Sequence, residues 1–241
     1  MIDVIYLAAG QGKRAGLGYP KQFARLGGKP ILIHGLEVLQ GMEEVGKIIV
    51  TCPADAPIHS GGVAGVVASY ISLPIDGLIL ITGGATRQDS VKKALAHVQT
   101  EYVLVAEAVR PFITAEFVRR VIETPGEFVV PRMLAISTVI ESGYHQMDGE
   151  KWTQVIPRKD VGEVQTPQKY LTALLQAAHV ETDMVNASDD AALVLGTELC
   201  SPMGNIQPTL IPGLEENIKI TTPLDLVIAE AIYNASHRDR E

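Results

Sequence analysis

The sequence predicts an α/β fold: a mostly parallel β-sheet covered by helices, with a β-hairpin arm projecting from it. Three observations carry this. Short apolar runs alternate with amphipathic segments, as in sheets whose parallel strands are joined through helices. Most of those runs end in Gly, Pro or a charged residue, where open α/β sheets place their ligand crevice. One stretch, 137–158, instead has a turn signal between two β-rich runs. The 241 residues suit a single domain spanning 1–241 with the arm at about 137–158.

Taken in order, Val4–Ala8, Lys47–Cys52, Leu78–Thr82, Tyr102–Ala106 and Glu127–Pro131 read as strands. Ile31–Gln40 behind Pro30, Arg87–His97, and Ala115–Glu123 behind the N-cap candidate Thr114 read as helices. Ala56–Ile75 carries no acid, Lys or Arg, but its glycines and prolines mark it as helix plus connection packed in the core, not a membrane span. In the arm, Asp148-Gly149 is the turn signal, and Val139, Tyr144 and Trp152 would be exposed unless a second subunit covered them. A hairpin folded back onto its own domain is the alternative. A last helix is predicted over Pro223–Tyr233.

Composition narrows the function. The net charge of −8 argues against a nucleic-acid binder. Cys52 and Cys200 form no metal or disulfide pattern and read as buried, reduced thiols of a cytoplasmic protein. The start, MIDVIYLAAG, has no basic region before its apolar run and reads as a first strand instead of a signal peptide. The histidines are scattered without ligand spacing.

The loop after the first strand carries the strongest signal. Gly10-Gln11-Gly12-Lys13-Arg14-Ala15 satisfies the dinucleotide fingerprint formally, but no acid follows until Glu37, inside a helical pattern, so the ribose partner is missing. No Gly-Lys-Ser/Thr closes the turn, which excludes a Walker A loop. Lys13, Arg14 and Lys21 suit a triphosphate better: glycines admit phosphate close to the backbone, N–H groups cradle it, and Arg grips its oxygens bidentately.

These residues resemble a known family. LAAGxGxR…PKQF…GGKPIL, Gly83-Gly84-x-x-Arg87-Gln88-Asp89-Ser90-Val91, Val109-Arg110-Pro111-Phe112, Gln165-Thr166-Pro167-Gln168 and Asn217-Ile218-Lys219-Ile220-Thr221 are similar to the 2-C-methyl-D-erythritol 4-phosphate cytidylyltransferase group and its ribitol 5-phosphate relatives. The blocks occur in family order over nearly the whole chain. The resemblance implies a Rossmann-like, mostly parallel sheet of the nucleotide-diphospho-sugar transferase type, transfer of CMP from CTP to a small phosphorylated alcohol, magnesium as cofactor, and a homodimer.

It also implies roles. Arg14 and Lys21 would grip the triphosphate and stabilise the transition state, with Arg158 and Lys219 also catalytic. Ala8, Ala9, Gly10, Gly12, Gly84, Arg87, Ser90 and Glu107 would bind the nucleotide, the alanines contacting cytosine through their backbone and Ser90 through its hydroxyl. Thr138, Arg158, Thr166 and Lys219 would bind the acceptor, the arm carrying Arg158 into a partner's site.

The chain departs from the pattern in its acids. Where the family has His-Asp-x-x-Arg-Pro, this sequence has Ala106-Glu107-Ala108-Val109-Arg110-Pro111. Glu107 keeps the carboxylate on a side chain about 1.5 Å longer and becomes the metal-ligand candidate. The acid after Gly-Gly is Ala85, an Asp-Thr pair is Ser137-Thr138, and Ser188-Asp189-Asp190 replaces a Thr-Asp-Glu-type run. The expected acceptor is methylerythritol phosphate, with ribitol 5-phosphate or a phosphonate as alternatives. A non-catalytic nucleotide-binding relative and a nucleotide-dependent oxidoreductase are the readings from other classes.

Overall fold

The computed structural model describes residues 1–10, 19–53, 62–71, 77–144, 151–181, 187–200 and 206–237. Strand β1 (Ile2–Leu7) leads to a 3-10 turn at Lys21–Phe23 and a small hairpin, β2 (Arg25–Leu26) with β3 (Lys29–Pro30). There follow α1 (Ile31–Gln40), β4 (Val45–Cys52), α2 (Val63–Tyr70), β5 (Leu78–Thr82), α3 (Arg87–Leu95), β6 (Tyr102–Glu107) and α4 (Ala115–Glu123). The second half holds β7 (Phe128–Leu134), β8 (Val139–Tyr144), β9 (Lys151–Ile156), β10 (Gly162–Val164) and β11 (Gln168–Leu171). It closes with α5 (Thr172–Glu181), α6 (Asp190–Leu195), β12 (Thr209–Pro212) and α7 (Pro223–His237).

The main sheet has eight strands in the order β10-β7-β11-β6-β1-β4-β5, with β12 beside β7. The run β6-β1-β4-β5 is parallel, as expected. Beyond β6 the sheet turns antiparallel through β11 and β10, strands too short and too polar to stand out in the sequence. Because both faces of the sheet are covered, β1 is apolar apart from Asp3, whose carboxylate accepts from Lys47 N and Gln99 N, and it splits by parity. Val4 and Tyr6 pack with α1, α2 and α4, whereas Ile5 packs on the opposite face with α3, α5 and α6.

Two helix ends depart from expectation. Helix α3 stops at Leu95, short of His97, because the chain tightens into bonds from His97 N to Ala94 O and from Val98 N to Leu95 O. Helix α7 runs past Tyr233 to His237, whose ring stacks on Tyr233 and whose Nδ1 lies 2.8 Å from Tyr233 O. Thr114 caps α4 as expected, accepting from Phe117 N.

Within Ala56–Ile75 the described part is α2, with Val63 and Val67 buried; residues 54–61 and 72–76 lie outside the described residues. No helix among the described residues is long and apolar enough to cross a membrane. Both cysteines are buried and unbridged, and burial pushes the Cys52 thiol up to about 11.

The arm is a separate two-stranded sheet, β8 against β9, registered from Val139↔Ile156 to Tyr144↔Lys151. Its exposed apolar side chains include two that were not expected, and the side chain of Tyr144 lies outside the described residues. Ile140 (61%) and Val155 (66%) face solvent, while Val139 and Trp152 are half-buried, with the Trp152 ring packed over Gly143. Parity explains the exchange: Ile140 and Val155 are cross-strand partners on one face of the hairpin. The Asp148-Gly149 turn lies outside the described residues.

Candidate active site

A cleft of about 790 Å³ opens at the C-terminal ends of β1, β4, β5 and β6. It lies where the strand order reverses: the chain proceeds from β1 through β4 to β5 on one side, then returns to set β6 on the other. Leu7 of β1 pairs with Glu107 of β6 at that edge. Ala8 is pinned beyond it. Its N–H reaches Thr51 Oγ1 at 3.2 Å, and its carbonyl accepts from the buried Gln22 Nε2 at 2.7 Å. The Ala8 N–H is thereby spent and one lone pair of its carbonyl remains; Ala9 and Gly10 continue the cleft lining. Lys21 enters the cleft from the 3-10 turn that also carries Gln22.

The opposite wall is the turn into α3. Thr86 caps the helix, its hydroxyl accepting from Asp89 N while the Asp89 carboxylate accepts from Thr86 N. This packs the turn so closely that a Cβ on Gly84 would meet Asp89 Cβ at 2.2 Å, and one on Gly83 would meet Ala9 Cβ at 2.5 Å. Ser90 is buried behind the turn. Its hydroxyl accepts from Gly84 N and donates to Thr86 O, each at 2.9 Å. With its proton committed, Ser90 can only accept from a ligand. Lys93 Nζ donates to Gly83 O at 3.0 Å.

A charge cluster closes the floor. Glu107 is 8% exposed, with Lys219 Nζ at 2.8 Å, Arg87 Nε at 3.4 Å and Arg110 Nε at 3.4 Å. Burial pushes its carboxyl up, but Lys219, Arg87 and Arg110 together outweigh that and hold it at about 2. Arg110 is itself fixed: Nη1 donates to Asn217 O at 2.7 Å, and Asn217 Nδ2 donates to Thr166 O at 2.9 Å. The β6 end, the Gln165–Thr166 segment and the Asn217–Lys219 segment are thereby tied into one unit.

Residues 2–235 match the family described as 2-C-methyl-D-erythritol 4-phosphate cytidylyltransferase. The chain is 33% identical over 236 residues to the enzyme of that name from Bacillus velezensis, covering 96% of this chain and 95% of the relative. The chain belongs to the 2-C-methyl-D-erythritol 4-phosphate cytidylyltransferase family. It is also 34% identical over 230 residues to the bifunctional IspD/IspF enzyme of Desulfotalea psychrophila, where it spans 94% of itself but 55% of that longer protein. The crystal structure of the Thermus thermophilus cytidylyltransferase superposes with a TM-score of 0.72 at 30% identity, covering 97% of this chain and 100% of that one.

Within this cytidylyltransferase fold, the cleft gathers Ala8, Ala9, Gly10, Lys21, Gly84, Arg87, Ser90, Glu107 and Lys219. Gly12 and Arg14 lie outside the described residues. The remaining acceptor candidates are not in the cleft of their own chain. Thr138 is exposed, and Arg158 is exposed with Nη1 donating to Ile136 O at 2.6 Å. Thr166 is buried with its hydroxyl unpartnered among the described residues. Sequence reasoning missed Gln22, Thr51, Lys93 and Asn217. The capping pattern Thr86-x-x-Asp89 was a local signal for the turn, and Gln22 and Asn217 stood inside the blocks PKQF and Asn217–Thr221 without a role read for them; Thr51, whose contact spans 43 residues, left no signal.

Proposed function

We propose that this chain transfers CMP from CTP to 2-C-methyl-D-erythritol 4-phosphate with release of pyrophosphate. The observation that carries the reading is the convergence of Lys21, Arg87 and Lys219 with one ionised carboxylate, Glu107, in a cleft at the strand ends. A phosphate monoester is anionic at neutral pH and attacks the α-phosphorus in line without a general base. The protein's work is therefore positioning and neutralisation of charge. Lys21, with Arg14, takes the triphosphate. Lys219 takes the α-phosphate and the acceptor phosphate as the two approach.

Ser90 gives a reason for cytosine. Its remaining capacity is that of an acceptor, which suits the exocyclic amine of cytosine and opposes the O4 of uracil. Magnesium fits the acid set. Glu107 is ionised, and magnesium commonly uses one or two carboxylates plus substrate phosphates. No cluster of three or more His, Cys, Asp or Glu exists among the described residues to hold a metal without substrate. Bound there, the ion would offset triphosphate charge and help orient pyrophosphate to leave.

The acceptor end is incomplete within one chain, so Thr138 and Arg158 act from the arm of a second copy in a homodimer. The relatives named above carry the methylerythritol phosphate name, so that acceptor takes precedence over ribitol 5-phosphate and phosphonates. The test is pyrophosphate release with magnesium and CTP across those three acceptor classes. Methylerythritol phosphate is expected to give the highest kcat/KM, and UTP or ATP to replace CTP poorly. Release with none of the acceptors would favour a non-catalytic nucleotide binder.

A further inference from the structure

Arg87 is gripped from behind the cleft wall by a carboxylate that does not face the cleft. Asp190, the first residue of α6, is 1% exposed, and its Oδ2 lies 2.8 Å from Arg87 Nη2. The approach is a close ion pair without hydrogen-bond alignment. The contact of Arg87 with Glu107 is longer, at 3.4 Å. Burial alone would lower the Arg87 guanidinium; Asp190 first and Glu107 second reverse this and raise it.

Asp190 is itself held firmly. Its neighbour Asp189 caps α6 by accepting from Ala192 N at 2.8 Å, and the second Asp189 oxygen accepts from Gln168 Nε2 of β11 at 3.1 Å. His179 of α5, buried, stands 3.7 Å from Asp190 Oδ1. The carboxylate thus sits at the meeting of two helices and a sheet strand, a rigid base for a side chain that must not move.

The arrangement divides the charges. Arg87 gives its Nη2 to Asp190 at 2.8 Å and only its Nε to Glu107 at 3.4 Å, while Glu107 has Lys219 at 2.8 Å and Arg110 at 3.4 Å as well. An Arg87 freed from Asp190 would turn its fork on Glu107, the other acid within reach. That would withdraw its N–H groups from the cleft and occupy the carboxylate assigned to the metal.

We propose that Asp190 is a positioning residue for nucleotide binding, holding Arg87 along the cleft wall and limiting its contact with Glu107 to the single longer Nε approach. This rests on the reading of the cleft as the CTP site. The test compares Asp190→Asn, Arg87→Gln and the double variant, by calorimetric CTP binding with magnesium and no acceptor, and by steady-state kinetics.

Asp190→Asn is expected to weaken CTP binding about tenfold and raise the KM for CTP to match, leaving the KM for the acceptor within about twofold. Because Asp190 acts through Arg87, the double variant should lose no more kcat/KM than Arg87→Gln alone. Additive losses, equal damage to the acceptor KM, or wild-type CTP affinity in Asp190→Asn would overturn the inference. If Asp190→Asn does not fold, the comparison of the double with Arg87→Gln still decides, since neither leaves Arg87 as an unpaired buried cation. Wild-type protein that binds no CTP would instead overturn the functional reading beneath it.

Discussion

At the residue scale, Glu107 concentrates the account. It stands at the end of the strand beside β1, with three cations around it. Its carboxyl is held at about 2 against an ordinary 4.5, so between those values the unfolded chain binds the more protons. The stability it contributes is complete above the unfolded value and disappears as pH falls toward the folded one. The ceiling on that contribution is on the order of 3 kcal/mol. Urea unfolding of the wild type from about pH 5 to about pH 3 should show a steep loss of stability, and Glu107→Gln a shallower one. Parallel slopes would show that Glu107 is not the group responsible. The same ionisation leaves Glu107 negative throughout the neutral range.

At the scale of elements, the walls of the cleft are built by close approach. Gly83 and Gly84 are needed because Ala9 and the Thr86–Asp89 capping box occupy the space a side chain would take. Gly84→Ala should therefore displace the N-terminus of α3, with Arg87 and Ser90 on it. The expected outcome is a CTP affinity at least about tenfold weaker with helical content by circular dichroism retained; unchanged affinity would separate this turn from nucleotide binding. Strands β1, β4, β5 and β6 were legible in the sequence, because mostly apolar runs end abruptly near glycine, proline or charge. Strands β10, β11 and β12 were not. They run three or four residues, and neighbouring strands determine their pairing. The site divides the same way: Lys21, Arg87, Ser90 and Lys219 sit in local motifs, while Thr51 and Asp190 make their contacts with segments distant in sequence, which no local pattern announces.

At the scale of the whole molecule, one chain carries a cleft at the strand ends and an arm whose Arg158 does not line it. Ile140 and Val155 on the arm's open face, with Ile136 at its base, form apolar surface suited to a second copy. If sites are shared across a dimer, Lys21→Ala and Arg158→Ala proteins, each inactive, should regain about a quarter of wild-type activity when refolded together in equal amounts. Half of those dimers are mixed, with one intact site each; no recovery would mean that each chain supplies its own Arg158. The central claim concerns the bond made at the α-phosphorus, and phosphorus NMR of the complete reaction reads it directly. With magnesium, CTP and 2-C-methyl-D-erythritol 4-phosphate, the account predicts free pyrophosphate together with a new diphosphate esterified at both ends. CDP with a phosphorylated acceptor, or no new signal from active-site-competent protein, would contradict it.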